Sequence, residues 1–585
     1  NGADVLTYDW SILHIRHDID FQYNTTDLGL IIDPAVAVKL IDENALRNTW
    51  YLRLDGTVDL IGKAQLVQTG NSQLDPASTG SIERDQQGTT NKFNYNYWCS
   101  PVGAINNTVN NANYTVASVM KDGTDPNNIM DLSWTTSINS VATTPITLSS
   151  YWIFKFQNLG NDYANWTSVG PNGSLIPGEG YTLKGSSAAS ESQNFTFTGK
   201  PNNGAINIPI SANNLNLTGN PYPSALDADT FITQNTASTT GTIYFWEHFS
   251  TNDTHVLQDY QGGYAARTLV GGTPPVSPEE VSGLGSSTRI PGRFIPVGQG
   301  FFVVGSATGG TVSISNEQRA FIKETNVDSN LMFKPTATQT VSETTPFNNY
   351  EDVYEEDTFA RIRLGFNSPD GYHRQLLMGF MDQNATAGID VGYDAIHIDI
   401  QPSDMYFTNG TTKLIISGEG YFNANSIYPV SVKAKITGNG EFLLDEVIHL
   451  APEQDIYLHD ATTGIYHDLR SGTVTIPLTA GTHDGRFTLR FTTASPKLDD
   501  LFLSQQLIAA YTSNNKMLNI HNKLEGVEVQ NVELYNILGQ NIANYSVVEQ
   551  NQIFIQIPIS NLATGTYIVK IHTSNGIVSE KIIIP

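Results

Sequence analysis

The sequence predicts an all-β chain built of several β-sandwich domains in series. Three observations carry that reading. Apolar and polar residues alternate with period two through most segments. Residues that suit pleated surfaces and tight turns are plentiful, with 49 Gly, 26 Tyr and 25 Phe beside many Thr and Asn. Stretches of 3.6-residue period are almost absent. At 585 residues the chain is too long for one core, and about three to five domains are expected.

Residues 1–92 read as short strands at Ile12 to Ile15, Leu28 to Ile32, Val36 to Ile41, Trp50 to Leu54, Thr57 to Ile61 and Ala64 to Gln68. The run Asp33 to Leu46 could be a helix with Pro34 at its first position, but the alternation Val36, Val38, Leu40 favours a strand. Short strands at this spacing suggest the last rungs of a stacked, solenoid-like stalk, with more of it upstream. The chain opens without a signal peptide and inside a strand-like pattern, Asn1-Gly-Ala-Asp, which fits a fragment of a larger protein.

Residues 93–325 contain an internal echo, 93–200 against 213–320. The first half carries Tyr97-Trp-Cys-Ser-Pro101, Tyr151-Trp-Ile-Phe154 and Pro177-Gly-Glu-Gly-Tyr181. The second carries Gly219-Asn-Pro-Tyr-Pro223, Ile243-Tyr-Phe-Trp246 and Val297-Gly-Gln-Gly-Phe301. Pro101 to Pro223 is 223 − 101 = 122, and Gly178 to Gly298 is 298 − 178 = 120. A Gly- and Pro-rich insertion, about 250 to 290, follows the second tryptophan strand. Neither Gly-x-Gly step is a phosphate loop, because no helix and no Lys-Ser/Thr pair follows. Residues 326–358 read as a polar linker or edge, 359–496 as a β-sandwich, and 501–585 as a separate small β-domain.

Charged residues are only 15% of the chain, yet 57 acidic against 31 basic side chains give a net charge of -26. That balance argues against nucleic acid as a partner. No apolar run reaches the length of a membrane helix. The single cysteine, Cys99, excludes an intrachain disulfide and reads as a small core residue. His14 and His17 lie three apart on a strand and point to opposite faces. His459, His467 and His483 each sit at an Asp-rich turn. The one cation candidate is the loop Asp382 to Asp394, where Asp382, Asn384, Asp390 and Asp394 could offer oxygens to Ca²⁺. It departs from an EF-hand, since Gly388 falls one place late and Tyr393 stands where Glu is needed, so a metal-free turn is expected. Tyr151, Trp152, Trp166, Tyr244 and Trp246 could stack on sugars, though alternating aromatics in strands are usually core. No Gly-x-Ser-x-Gly, His-Glu-x-x-His or Cys-x-x-Cys occurs. The expectation is a chain with no catalytic site and no cofactor.

The C-terminal stretch is the most specific. It runs Val532-Glu-Leu534-Tyr535-Asn536-Ile-Leu-Gly539-Gln540, then Leu562-Ala-Thr-Gly565-Thr-Tyr567-Ile-Val-Lys570, then Glu580-Lys581-Ile582-Ile583-Ile584-Pro585. These three elements, in this order, closely resemble the type A C-terminal sorting domain of cargo proteins of the type IX secretion system of the Bacteroidetes. The resemblance implies a seven-strand, Ig-like sandwich that directs export across the outer membrane. It also implies two partners, the secretion channel and an outer-membrane shuttle β-barrel. Within it, Gly539 is expected at a turn without Cβ, and Lys581 to Pro585 is expected to be the docking segment. The rest of the chain resembles non-catalytic segments of large surface proteins of gliding flavobacteria, through Trp50-Tyr-Leu-Arg-Leu-Asp-Gly56, Arg84-Asp-Gln-Gln-Gly88, Tyr95 to Val102, Thr218-Gly-Asn-Pro-Tyr-Pro-Ser224 and His483-Asp-Gly-Arg-Phe487. The function expected is therefore that of an exported surface adhesin or stalk, with an extracellular glycan or other surface ligand as partner. The alternative is the accessory region of a secreted polysaccharide hydrolase whose catalytic domain lies upstream.

Overall fold

The computed structural model describes residues 10–249, 254–278, 281–283, 285–324, 357–493, 507–513, 515–523, 528–536, 540–547, 553–559, 562–573 and 576–584. The expected linker 326–358 lies almost entirely outside them. The fold is all-β. Among the described residues α-helix is limited to Val116–Val119 and Ala228–Asn235. The chain divides into two compact units, one holding almost everything up to Leu489 and the other Arg490–Pro585.

The first unit begins as a parallel stack. Strands Ile12–Ile15, Thr25–Ile32, Ala45–Leu54 and Gln65–Gln68 form one wall, all in parallel register. Strands Ile19–Phe21, Ala37–Leu40, Thr57–Leu60 and Ser81–Thr89 form the other. The stretch from Val36 is strand, not helix. Stacking puts like side chains above one another, as in the rows Ile19, Val38, Val58, Ile82 and Leu30, Leu52, Leu74. Except for the end residue Ile19, these rows are fully buried. The rungs approach so closely at one corner that a Cβ on Gly56 would lie 2.3 Å from the Val36 carbonyl, and one on Gly80 2.0 Å from that of Gly56. A polar ladder runs inside the stack. Asn48 Nδ2 donates to Asp27 Oδ1 at 2.5 Å, Ser72 Oγ donates to Asn48 Oδ1, and Gln68 Nε2 donates to Ser72 Oγ at 3.1 Å.

No break falls at residue 92, where a domain boundary was expected. Ser81–Thr89 pairs in parallel with the stack on one edge and antiparallel with Ser192–Pro201 on the other. The stack therefore runs directly into the sheet of the next region. The other wall ends on Gln65–Gln68, which is covered by the second half of that region. Leu66 N donates to Pro223 O at 2.9 Å, and Arg319 Nη2 donates to Leu66 O at 2.5 Å. Gln65 accepts from Ala225 N at 2.9 Å and donates to Ile322 O at 2.7 Å. Burial lowers the Arg319 guanidinium to about 9, and the Tyr222 ring 4.8 Å away offers it a π face.

Two hairpin-like pairs occupy the middle of this unit. Tyr95–Cys99 pairs with Gly180–Lys184, and Leu215–Gly219 pairs with Gly300–Gly305. Gly178 and Gly298 both have positive φ, 87 and 76, just before the second strand of each pair. The pairs meet reciprocally, Trp98 bridging Gln299 and Thr218 bridging Glu179. The offsets are 218 − 98 = 120 and 299 − 179 = 120. The turn after each first strand is also alike. Val102 N donates to Ser100 Oγ at 3.2 Å and Tyr222 N to Asn220 Oδ1 at 3.0 Å. By that hydrogen bond the counterpart of Pro101 is Pro221, not Pro223, because the cap residue precedes the proline directly. The Gly- and Pro-rich insertion supplies two further strands of the second-half sheet, Gly262–Thr268 and Gly271–Thr273.

Residues 360–490 form one continuous eleven-stranded sheet and not two separate sheets. It curls onto itself, so that Phe442, 5.1 Å from its ladder partner Phe366, also meets Phe487 at 5.2 Å from a strand far away in the sheet order. Within it Arg374 is buried between Asp399 and Asp404, with His397 on Asp404 at 2.8 Å.

The second unit has seven strands among the described residues. Leu507–Thr512, Met517–Asn522 and Phe554–Pro558 form one sheet. Asn541–Ser546, Val529–Asn536, Gly565–Thr573 and Gly576–Ile584 form the other. Leu518, Ile520, Val532, Leu534, Val569 and Ile571, all fully buried, fill the space between.

The ladder in the stack yields an expected outcome. Asn48→Ala leaves the Asp27 carboxylate and the Ser72 hydroxyl buried without their shared partner, at a cost of about 2–4 kcal/mol. Urea denaturation followed by tryptophan fluorescence should show the earliest transition moving to lower urea. A shift worth less than about 0.5 kcal/mol would mean that the ladder carries no stability.

Candidate functional site

The strand Tyr95–Cys99 lies between two cores. Trp98 faces the stack side and packs edge-on against Phe195 and Phe197, both at 5.7 Å. Tyr95 and Tyr97 face the other way. Tyr97 stacks on Trp246 at 6.0 Å with a 12° tilt, and its hydroxyl lies 3.1 Å from that of Tyr264. Trp166 closes on Tyr97, Phe156 and Phe302 at 5.9, 5.4 and 5.8 Å. Of the aromatics that could stack on sugars, Tyr244 and Trp246 are buried at 3% and 4% exposure, so they are core. Trp152 and Trp166 are half-buried, and Tyr151 is exposed.

Directly across from Tyr95 in the ladder stands Lys184. Its side chain is buried, and its Nζ sits among three aromatic rings. The Trp152 centroid is 3.7 Å away, Tyr95 4.5 Å and Tyr260 5.0 Å. Two hydrogen bonds complete the surroundings, to the Tyr260 hydroxyl and, at 3.0 Å, to His255 Nδ1. Tyr260 donates its own proton to Phe93 O at 2.9 Å, so it accepts from Lys184. His255 Nε2 lies 3.0 Å from Asn139 Oδ1, which places the imidazole proton on Nε2 and leaves Nδ1 to accept. The imidazole stacks on Trp152 at 4.9 Å and 18°. Tyr151 packs edge-on against Trp152 at 4.6 Å, and Trp152 Nε1 donates to Ile138 O at 2.7 Å.

Burial lowers the Lys184 amine to about 7, while the three ring faces favour its charged form. Burial, then Lys184 and Lys92, pull His255 down to about 4. Among the described residues Lys184 makes no ion pair. The arrangement can hold a flat, partly apolar ring against aromatic faces and set a hydrogen-bond acceptor on an amine. Sequence reasoning singled out none of Lys184, His255 and Tyr260, and met Tyr95 only as the first residue of the Tyr95 to Val102 match. The signal that could have found it is the internal echo, which puts Val304 at the position of Lys184 and Leu215 at that of Tyr95.

The other residues singled out by sequence fall as follows. Cys99 is buried and its thiol is pushed up by burial. His14 pairs with Asp33 at 2.7 Å, and His483 meets Thr479 O at 2.8 Å. In the loop from Asp382, Asp390 Oδ2 accepts from Thr386 N and Oγ1 at 2.6 and 2.9 Å, and Asp394 accepts from Asp390 N and Gly418 N. Asp382 and Asn384 sit on an exposed 3-10 turn. Among the described residues no three His, Cys, Asp or Glu side chains gather in a way that could hold a metal ion. In the second unit Leu534 is fully buried, Tyr535 lies 4.9 Å below Lys570 Nζ, and Tyr567 donates to Ala563 O at 2.9 Å. Asn536 and Gln540 are joined by bonds of 2.8 and 3.0 Å. Gly565 opens its strand, and in the last strand Lys581 is exposed while Ile582, Ile583 and Ile584 alternate buried, exposed, buried. Gly539 and Pro585 lie outside the described residues.

A family model described as "Domain of unknown function (DUF8693)" matches residues 14–491. The chain belongs to the DUF8693 family. A second model, "Secretion system C-terminal sorting domain", matches residues 514–585. The DUF8693 region is thus followed by a type IX sorting signal, and the protein is a cargo exported to the cell surface or medium. No curated protein matches the chain. Among solved structures, a Salmonella alpha-2-macroglobulin reacted with methylamine aligns with 86% of this chain at 8% identity and TM-score 0.14. The aligned part spans 33% of that protein, and likeness so slight carries no argument. Among the described residues no helix is long and apolar enough to cross a membrane.

Two measurements on melting follow from the buried carboxyls. Burial pushes Glu247 and Glu419 up to about 7 and Asp394 up to about 6. Each binds its proton more tightly in the folded chain, so stability rises as pH falls from 8 to 6. Lys184 and, below about pH 6.5, His255 act in the opposite sense, but the three carboxyls together outweigh them. The first melting midpoint should rise between pH 8 and pH 6, and less so in Glu419→Gln. At fixed pH, melts with millimolar Ca²⁺ and with chelator should coincide. An upward shift with Ca²⁺ that Asp390→Ala abolishes would make the Asp382–Asp394 loop a metal site.

Proposed function

We propose that this chain is the C-terminal part of a non-enzymatic surface adhesin, in which the parallel stack serves as stalk and the aromatic site around Lys184 serves as the ligand-binding face. The observation that carries the reading is the company of that site. A half-exposed aromatic surface with a buried amine at its base stands in a chain whose C-terminal domain is a sorting signal for export. Aromatic faces rimmed by hydroxyls suit the CH faces and hydroxyls of sugars, and the exposed Tyr151 and Tyr163 beside Tyr95 supply such a rim. The buried Cys99 thiol, pushed up and away from any thiolate, also suits binding better than turnover.

In this reading the sorting domain hands the chain to the secretion channel and a shuttle β-barrel. The last strand is the segment that docks, since it is a sheet edge with exposed Lys581 and Ile583. A two-armed experiment tests the whole. Full-length protein lacking Lys581 to Pro585 should remain in the periplasm, and surface display of that truncation would remove the docking role. The double variant Tyr151→Ala, Tyr163→Ala changes only exposed rings, at 53% and 67% exposure. It should reach the surface normally yet lose about tenfold in attachment to polysaccharide-coated beads, equivalent to ~1.4 kcal/mol. Undiminished attachment would place the ligand elsewhere.

A further inference from the structure

The two halves of the middle region act as an internal control on Lys184. The ladder pair Tyr95–Lys184 of the first half corresponds to Leu215–Val304 of the second, 120 residues on in both strands (215 − 95 and 304 − 184). The second half forms the same strand pair around an aliphatic pair, so this strand geometry does not require a buried amine. A buried cation without a counter-charge is costly, and both hydrogen-bond partners of Lys184 are neutral. The amine therefore needs another explanation.

His255 indicates what fits there. Its flat ring lies nearly parallel to Trp152, and one acceptor atom sits 3.0 Å from Lys184 Nζ. A ring on an aromatic face with an acidic oxygen on an amine has the same arrangement. The segment that brings His255 in, from Thr254 to Asp259, contains only a single 3-10 turn, Leu257–Asp259. Lys92 adds a second positive charge close enough to His255 to lower its pKa. The local field is thus positive, although the whole chain carries -26, and distant charges are screened beyond about 8 Å at physiological salt.

We propose that the site over Lys184 binds a carboxylated pyranose, a hexuronate unit of an acidic polysaccharide, with its carboxylate on Lys184 Nζ and its ring on Trp152 in place of the His255 imidazole. This rests on the reading of the chain as a surface adhesin and supplies its ligand class. The groups facing Nζ are His255, Tyr260 and Tyr95, with Lys92 beyond His255 and Tyr151 and Tyr163 beyond Tyr95. Among the described residues none of these is a carboxylate. The ligand carboxylate serves as a counter-ion and holds Lys184 in its charged form. Binding takes up a proton wherever the free amine is partly neutral.

The test is calorimetry on the full chain with a galacturonate trisaccharide, a neutral galactose trisaccharide and acetate. Measurements run from pH 6 to pH 8 in buffers of different ionisation heat. Only the galacturonate should bind measurably. Its binding at pH 8 should take up most of one proton, and its affinity should be about tenfold weaker at pH 8 than at pH 6, as an amine titrating near 7 requires. Lys184→Val, which gives the first half the residue of the second, should lose that affinity at least tenfold with an unchanged circular dichroism spectrum. His255→Ala should bind as well as the parent or better. Equal binding of the neutral sugar, binding without proton uptake, or full affinity in Lys184→Val would overturn the proposal. Proton uptake in the parent decides the matter if Lys184→Val does not fold. If no sugar binds while attachment still depends on Tyr151 and Tyr163, this inference fails and the adhesin reading stands.

Discussion

A parallel stack of strands ends on a row of backbone N–H and C=O groups that must be covered or left to pair with another chain. Here the row at Gln65–Gln68 is covered from within. Pro223, Ala225, Arg319 and Ile322 meet Gln65 and Leu66 through four hydrogen bonds, and Ser81–Thr89 carries the second wall into the next sheet. The rest of the first unit is arranged around that junction. Because Ser81–Thr89 continues into Ser192–Pro201, the first half of the echoed region is locked to the stack. Because Arg319 reaches back to Leu66, so is the second half.

The junction also sets up the candidate site. Tyr95–Cys99 follows directly from the last rung and is held between Trp98 on the stack side and Tyr97 on the other. That position leaves the Tyr97 face to be roofed by residues from far along the chain, Trp152, Trp166, Trp246 and Tyr264. At its outer edge Lys184 is caught with His255 and Tyr260. The site is thus a product of the two halves meeting, and neither half contains it alone.

Much of this was legible in the sequence, for reasons that differ by residue. The strand at Ile12–Ile15 and the one from Thr57 follow from alternation, which reports which side of a strand is buried. Alternation does not say which strand lies beside which, so the junction at Ser81–Thr89 was invisible and a boundary was expected just after it. Trp246 reads like Trp152, as an aromatic in a strand, yet it is core because Tyr97, nearly 150 residues earlier, covers it. Lys184 was missed because a charged residue ending a strand ordinarily faces water, and only the rings from Trp152 and Tyr260 reveal that it does not. The sorting domain was the most readable part, since its turns and strands are close in sequence.

Hydrogen exchange on the full chain tests the junction most directly. Peptides covering Gln65–Gln68 should exchange slowly and at the same rate as those covering Pro223–Ala225, because Leu66 N donates to Pro223 O and Ala225 N donates to Gln65 Oε1. In Gln65→Ala both should lose protection together, while peptides from the sorting domain stay unchanged. Protection at Gln65–Gln68 that survives when Pro223–Ala225 opens would contradict the account, since the stack would then end without its cap.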